Sequence, residues 1–251
     1  MDLELKGKRA IVTGGSRGIG KQIAAQLAAE GASVAIVARG AEALQATAAE
    51  LSGRGGGEVI GLTVDVGDRT SVDAMVAQAV ARLGGVEILV NCAASVGGGG
   101  GRNIADLREE AILADLNVKL MGYMRMARAV APHMIAARWG RVINIGGHAM
   151  RVTGNYSAAL RNAAITAWSS NLAGELGPQG ISVNTVHPNF TFTERRSDNL
   201  GARAIEANNS GRVPEATDIA YVVAMLASPR GWVINGESIM ASGGLQGLIN
   251  Y

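Results

Sequence analysis

The chain has 251 residues, 48% of them hydrophobic, a net charge of +2 and a single cysteine, Cys92. That length suits one large α/β domain or two small ones with a substantial core, and the even spread of charge leaves no basic block for nucleic acid. No apolar run is long enough to span a bilayer. The opening Met1-Asp2-Leu3-Glu4-Leu5-Lys6 lacks the layout of a secretory signal, and one cysteine cannot close an internal disulfide. The expectation is therefore a soluble cytoplasmic protein with neither a nucleic-acid nor a membrane partner.

The first predicted element is a short buried strand, Arg9-Ala10-Ile11-Val12, which runs into Thr13-Gly14-Gly15-Ser16-Arg17-Gly18-Ile19-Gly20. Beyond it Ile19, Ile23 and Leu27 recur on one helical face. Glycines let a chain turn tightly and bring backbone N–H groups close to a ligand. The helix that follows aims its unpaired N–H groups and positive dipole end at the bend, which suits a pyrophosphate. Strand, three spaced glycines and helix in that order point to a dinucleotide.

Further β-branched runs lie at 33–37, 59–64, 86–90, 141–145, 181–186 and 237–241, with helical stretches near 41–52, 70–82, 106–137, 155–176 and 217–226. This alternation predicts a doubly wound parallel sheet with ligands at the C-terminal strand ends. No linker, composition break or repeat interrupts it, so residues 1–251 are read as one α/β domain. The glycine-rich stretch 53–57 reads as a surface turn. The run 97–102 is either a rim of the site or a plain flexible loop. Residues 148–153 should approach the site, and 194–211 fall where a substrate-covering lid would be. Within that last stretch Arg195-Arg196 hints at an anionic substrate group.

These residues resemble the short-chain dehydrogenase/reductase family over nearly the whole chain. The glycine run matches its Thr-Gly-x-x-x-Gly-x-Gly motif. Asp65-Val66 matches the pair that holds the adenine, and Asn91-Cys92-Ala93-Ala94 stands in the place of Asn-Asn-Ala-Gly. Asn117 matches a helix asparagine that supports a water-linked proton path. Residues 188–193 resemble Pro-Gly-x-x-x-Thr, whose final threonine contacts the nicotinamide amide. The resemblance implies a Rossmann-like seven-stranded sheet, subunits paired through two long helices into dimers or tetramers, and a small-molecule substrate. It assigns Gly14, Ser16, Arg17, Gly18, Ile19, Gly20, Asp65, Val66, Asn91, Ala93, Pro188, Thr191 and Thr193 to the cofactor, to which the electrostatics of the second strand's tip add Arg39, and no residue to a metal.

The end of the second strand bears on which cofactor. A carboxylate at that tip would bond a ribose 2′-hydroxyl and repel a 2′-phosphate. Ala38 stands there instead, with Arg39 after it and Arg17 in the glycine loop. Two guanidinium groups suit a phosphate dianion, so NADP(H) is favoured over NAD(H).

The proton machinery departs from the family pattern. Carbonyl reduction needs a proton donor, which the family supplies as Tyr-x-x-x-Lys, with an upstream serine holding the substrate oxygen. Here Gly146-Gly147-His148 follows the fifth strand where that serine is expected, and Leu160 stands four residues after Tyr156. Counting back from Asn184 and Pro188 puts Asn162 in the lysine slot and Ala158 in the tyrosine slot. The catalytic candidates are Tyr156, Asn117, Asn162 and His148. Arg161 reads either as a solvated residue or as a fixed charge, and His187 as structural. The leading reading is an NADPH-dependent oxidoreductase of carbonyls or secondary alcohols with a non-standard proton donor. A carbon–carbon double-bond reductase and a non-catalytic NADP-binding protein are its competitors.

Overall fold

The structure, a computed structural model, describes residues 2–94, 100–194 and 201–245, without the side chains of 201–203. Seven strands, β1 (Arg9–Thr13), β2 (Ser33–Ala38), β3 (Val59–Thr63), β4 (Ile88–Asn91), β5 (Gly140–Ile145), β6 (Ile181–Pro188) and β7 (Ser238–Ala241), form one sheet. Their order is β3-β2-β1-β4-β5-β6-β7, and every pairing is parallel. This is the Rossmann-like architecture that the alternating pattern predicts. β1 pairs with β2 on one side and β4 on the other, Val12 lying opposite both Ile36 and Val90. The chain therefore leaves β1 in one direction and returns to its other flank. The C-terminal ends of β1 and β4 frame the crevice where such sheets bind ligands.

Eight helices join the strands among the described residues: α1 (Gly18–Ala29), α2 (Ala41–Ser52), α3 (Arg69–Leu83), α4 (Glu109–Leu116), α5 (Gly122–Ala137), α6 (Tyr156–Leu176), α7 (Gly201–Glu206) and α8 (Ala216–Ala227). Helices cover both faces of the sheet, so its central strands read as continuous apolar runs. Alternate residues then serve opposite cores. Ala10, Val12, Val34, Ile36 and Val90 pack with Ile23 and Leu27 of α1 and Ile219 and Val223 of α8. Ile11, Ala35, Val37 and Leu89 pack on the other side with Val72 and Met75 of α3 and Met126 and Val130 of α5.

The helix predicted over 106–137 is broken. α4 ends at Leu116, and a wide π-helical turn, Asn117–Met121, intervenes before α5. A π turn holds more residues than an α turn, so it rotates the faces of the chain around it, and such turns often sit at functional sites. Periodicity alone could not reveal it, because the apolar spacing resumes on either side. α7 was not anticipated either. Arg195-Arg196 and residues 97–99 of the glycine run lie outside the described residues.

Candidate active site

The cofactor side is built from the bend after β1. Thr13 Oγ1 accepts hydrogen bonds from Cys92 N (2.8 Å) and Ala93 N (3.0 Å), tying the ends of β1 and β4 together. Gly14 has φ +69°, and a Cβ there would stand 3.1 Å from the Ala93 Cα. A side chain at Gly20 would run into the Gly14 carbonyl oxygen, so α1 can start hard against the bend only with glycine at that place. α2 steadies the loop from outside, Thr47 Oγ1 donating to the Ser16 carbonyl at 3.0 Å.

At the start of α1, Gly18 N–H donates to the Glu194 carboxylate at 2.5 Å. An anion thus already occupies the helix N-terminus, and the carboxylate stands in for a phosphate oxygen. Arg17 and Arg39 are exposed beside this bend and beyond β2, and neither pairs with a carboxylate among the described residues. Asp65 is exposed just past β3, its Oδ1 accepting from Gly67 N at 2.8 Å, while Val66 is buried. Asn91 donates through Nδ2 to Asn144 Oδ1 (2.9 Å), but its own Oδ1 is buried without a partner among the described residues. Beyond β6, Thr191 Oγ1 donates to the Asn189 carbonyl at 3.0 Å, and Thr193 lies over Gly18. A helix start that takes an anion, two outlying guanidiniums and an orphaned acceptor at the crevice fit a phosphorylated dinucleotide.

The other half of the crevice lies past the ends of β5 and β6. Lys119, on the π turn, is 4% exposed, the one buried lysine among the described residues. Its Nζ donates to the Gly146 carbonyl (2.8 Å) and to Asn162 Oδ1 (3.2 Å). Burial, and then the nearby Arg161 charge, push this ammonium down to about 7. One turn earlier on α4, the Asp115 carboxylate is buried and accepts from both Arg161 and Ser157 of α6.

His187 closes the far side. Burial pushes its imidazole down to about 4, so it is neutral at ordinary pH. Its Nδ1 lies 3.1 Å from Gly147 N and 3.2 Å from the Gly147 carbonyl oxygen, and its Nε2 lies 3.2 Å from Thr166 Oγ1. Thr166 in turn donates to the Asn162 carbonyl at 3.0 Å. A side chain at Gly146 would collide with the His187 ring, and a Cβ at Gly147 would stand 2.9 Å from Asn162 Nδ2. Gly146-Gly147 is therefore fitted to this histidine and asparagine. Cys92 completes the surround, and burial pushes its thiol up to about 11, which keeps it protonated and unreactive.

Comparison with known proteins agrees with this layout. Residues 8–203 match the short chain dehydrogenase family. The chain belongs to that family. It is 35% identical over 246 residues to a short-chain reductase protein, NovJ, of Streptomyces niveus, covering 94% of this chain and 92% of the relative. It is 34% identical over 249 residues to the 3-oxoacyl-[acyl-carrier-protein] reductase of Haemophilus influenzae, covering 96% and 99%. Among solved structures it resembles a Burkholderia cenocepacia short chain dehydrogenase in complex with NADP (TM-score 0.86, 35% identity, 96% and 98% covered). It also resembles the L-sorbose reductase of Gluconobacter frateurii complexed with NADPH and L-sorbose (TM-score 0.91, 28% identity, 99% and 100% covered). This short-chain dehydrogenase is an NAD(P)-dependent oxidoreductase.

The residues assigned from sequence to its cofactor gather at one edge: Gly14, Ser16, Arg17, Gly18, Ile19 and Gly20 at the bend, Asn91 ending β4 and Ala93 beyond it, Pro188 ending β6 and Thr191 and Thr193 beyond it. Arg39 lies beyond β2 and Asp65-Val66 beyond β3. The catalytic candidates are scattered. Asn162 joins Lys119, but Asn117 does not. Its Oδ1 accepts from Arg125 Nη2 at 2.7 Å, and Arg125 also reaches the Val66 carbonyl at 3.1 Å. The π turn holds Asn117 toward the β3 end, away from Asn162. Tyr156 is exposed at the first position of α6, six residues and about 240° of helical rotation from Asn162. Exposed Leu160 shares its side of α6, while Ala158 is buried on the Asn162 side. His148 packs its ring against Phe190 with centroids 5.7 Å apart. Arg161 is not a solvated residue but the half-buried partner of the buried Asp115.

Lys119 escaped the sequence reading. The one sign of it was a lone charge inside the otherwise apolar Val118-Lys119-Leu120-Met121. A snorkelling surface lysine leaves the same pattern.

Proposed function

We propose that this short-chain dehydrogenase uses NADP(H), in preference to NAD(H), to move a hydride to or from a carbonyl or secondary alcohol of a small molecule. The observation that carries the preference is the pair Arg17 and Arg39 flanking a strand tip that ends in Ala38 with no carboxylate. Two planar guanidinium forks recognise a 2′-phosphate dianion, and an uncharged tip removes the repulsion that a carboxylate would exert. The N–H groups opening α1, where Gly18 N–H meets the Glu194 carboxylate, would hold the pyrophosphate. Asp65-Val66 face the adenine, and Asn91, Ala93, Pro188, Thr191 and Thr193 line the nicotinamide end.

When bound, the nicotinamide supplies the hydride, and the protein supplies orientation and the proton. Asn162, fixed through its side chain by Lys119 and through its carbonyl by Thr166, has the Nδ2 donor directed toward Gly147, at the mouth of the crevice. Residues 1–251 act as one cytoplasmic catalytic unit that self-associates into dimers or tetramers, a reading supported by exposed apolar Ile135 on α5 and Leu160 on α6.

Titrating the protein with NADPH and NADH, and following NADPH absorbance with ketones, quinones and enoyl compounds, tests this reading. Tighter NADPH binding with consumption on carbonyl compounds is expected. Consumption on enoyl compounds alone would replace the proposed reaction by double-bond reduction. Tight binding without consumption would make the protein a non-catalytic NADP binder.

A further inference from the structure

We infer that Lys119, held between the Gly146 carbonyl and the Asn162 side chain, stores and hands over the proton of the reaction, a role this chain does not give to a tyrosine. Three observations converge on it. First, Tyr156 faces away from the asparagine that lies at the crevice, and Ala158 brings no ionisable group to the inward side of α6. Second, Lys119 is buried yet forms no ion pair among the described residues; the adjacent carboxylate, Asp115, is taken by Arg161 and Ser157. A structural buried lysine is ordinarily neutralised by a carboxylate, so an unpaired one is a functional candidate. Third, its two partners are both acceptors, a carbonyl and an amide oxygen, 2.8 and 3.2 Å away.

That third point fixes the chemistry. A neutral amine has two N–H groups and a lone pair, whereas an ammonium has three N–H groups. Both forms keep the bonds to Gly146 and Asn162, so gaining or losing one proton breaks neither. In the reducing direction the ammonium releases one proton to the oxygen that needs it and remains as the amine, with solvent returning the proton afterwards. In the oxidising direction the lone pair accepts that proton. The groups facing Lys119 favour easy exchange. Arg161 of α6 repels its charge, Asp115 of α4 acts in the opposite sense, and Cys92 after β4 is a neutral thiol at neutral pH. His187 of β6 stays neutral, and Tyr123 of α5 is tied by its hydroxyl to the Ile145 carbonyl at 3.0 Å. Arg151 acts on His187 from the turn before α6.

This inference rests on the oxidoreductase reading, and its test separates the two. The cofactor-free protein labelled with [ε-13C]lysine is titrated by NMR, with Lys119→Met identifying the resonance. A midpoint near neutrality is expected, and titration in the ordinary lysine range would overturn the inference. With NADPH, Lys119→Arg keeps the charge but cannot give up a proton. It should lower kcat by roughly a hundredfold or more, the usual share of general acid–base catalysis, and abolish the neutral inflection of the pH profile. NADPH affinity should stay within about threefold, because no phosphate contact is lost. Unchanged kcat and pH profile in a folded Lys119→Arg protein would also overturn it. The exchanged pair Lys119→Asn with Asn162→Lys returns the cation to α6 and should recover part of the lost rate. Failure of the oxidoreductase reading registers separately, as absent NADPH binding by the wild type.

Discussion

The two halves of the crevice are built on opposite plans. The cofactor half, around β1 and α1, draws most of its parts from eight consecutive residues whose geometry is set by backbone: a left-handed Gly14, a Gly20 with no room for a side chain, and the N–H groups opening α1. The proton half has no such local segment. Asp115, Lys119, Gly146, Ser157, Arg161, Asn162 and His187 come from α4, the π turn, the end of β5, α6 and β6, and their side chains hold one another. A site made of backbone tolerates change around it, whereas a network of buried polar side chains stands or falls together.

The largest effect expected from breaking this contrast is Asp115→Ala. It leaves the half-buried Arg161 guanidinium without its carboxylate, and breaking a fully buried pair costs about 3–5 kcal/mol, which is the upper bound here. Chemical denaturation measures it, and a loss under 1 kcal/mol would mean that the proton half is not the cooperative unit described. On the cofactor side the corresponding change is softer. Arg39→Asp should shift the ratio of NADPH to NADH affinities toward NADH on the order of tenfold or more while leaving stability nearly unaltered, since Arg39 is exposed. Calorimetric titration with both cofactors reads this, and an unmoved ratio would remove Arg39 from phosphate recognition.

Lys119 also leaves a mark on stability that needs no cofactor. In the unfolded chain its amine keeps a proton up to about pH 10.5, while in the folded protein it lets go near 7. Between those limits the unfolded state binds more protons, so this group makes folding stability rise with pH, by about 1.4 kcal/mol per unit. Below pH 7 its burial penalty is present in full. Lys119→Met should flatten that part of the stability–pH curve, and identical slopes in variant and wild type would contradict a lysine buried in this way. The smallest effect is expected of Tyr156→Phe, with kcat within about twofold of wild type, because a hydroxyl on the exposed side of α6 has no part in the inward network. A loss approaching a hundredfold would give the proton role back to Tyr156.

The same contrast decides what was legible before the structure. The glycine bend, the parallel sheet and the α1 helix were readable because each depends on residues adjacent in the chain, where spacing encodes conformation directly. Asn162 could be aligned with the lysine slot, since α6 and β6 run on without a gap. Asn117 was read into the proton path yet pairs with Arg125, because a π turn is invisible in periodicity and rotates the residues on either side of it. Arg161 stayed open between a solvated residue and an inward charge for a related reason: its partner, Asp115, lies 46 residues earlier.

By itself, then, the sequence determined a doubly wound fold, a dinucleotide bend and the absence of the Tyr-x-x-x-Lys pair. Only the tertiary structure decided that Lys119, 43 residues before Asn162, meets it end to end. The reason is physical. A backbone cradle is written in local φ and ψ preferences, but the charge state of a buried amine depends on what packs around it, and that is settled only when distant elements close over the same small volume.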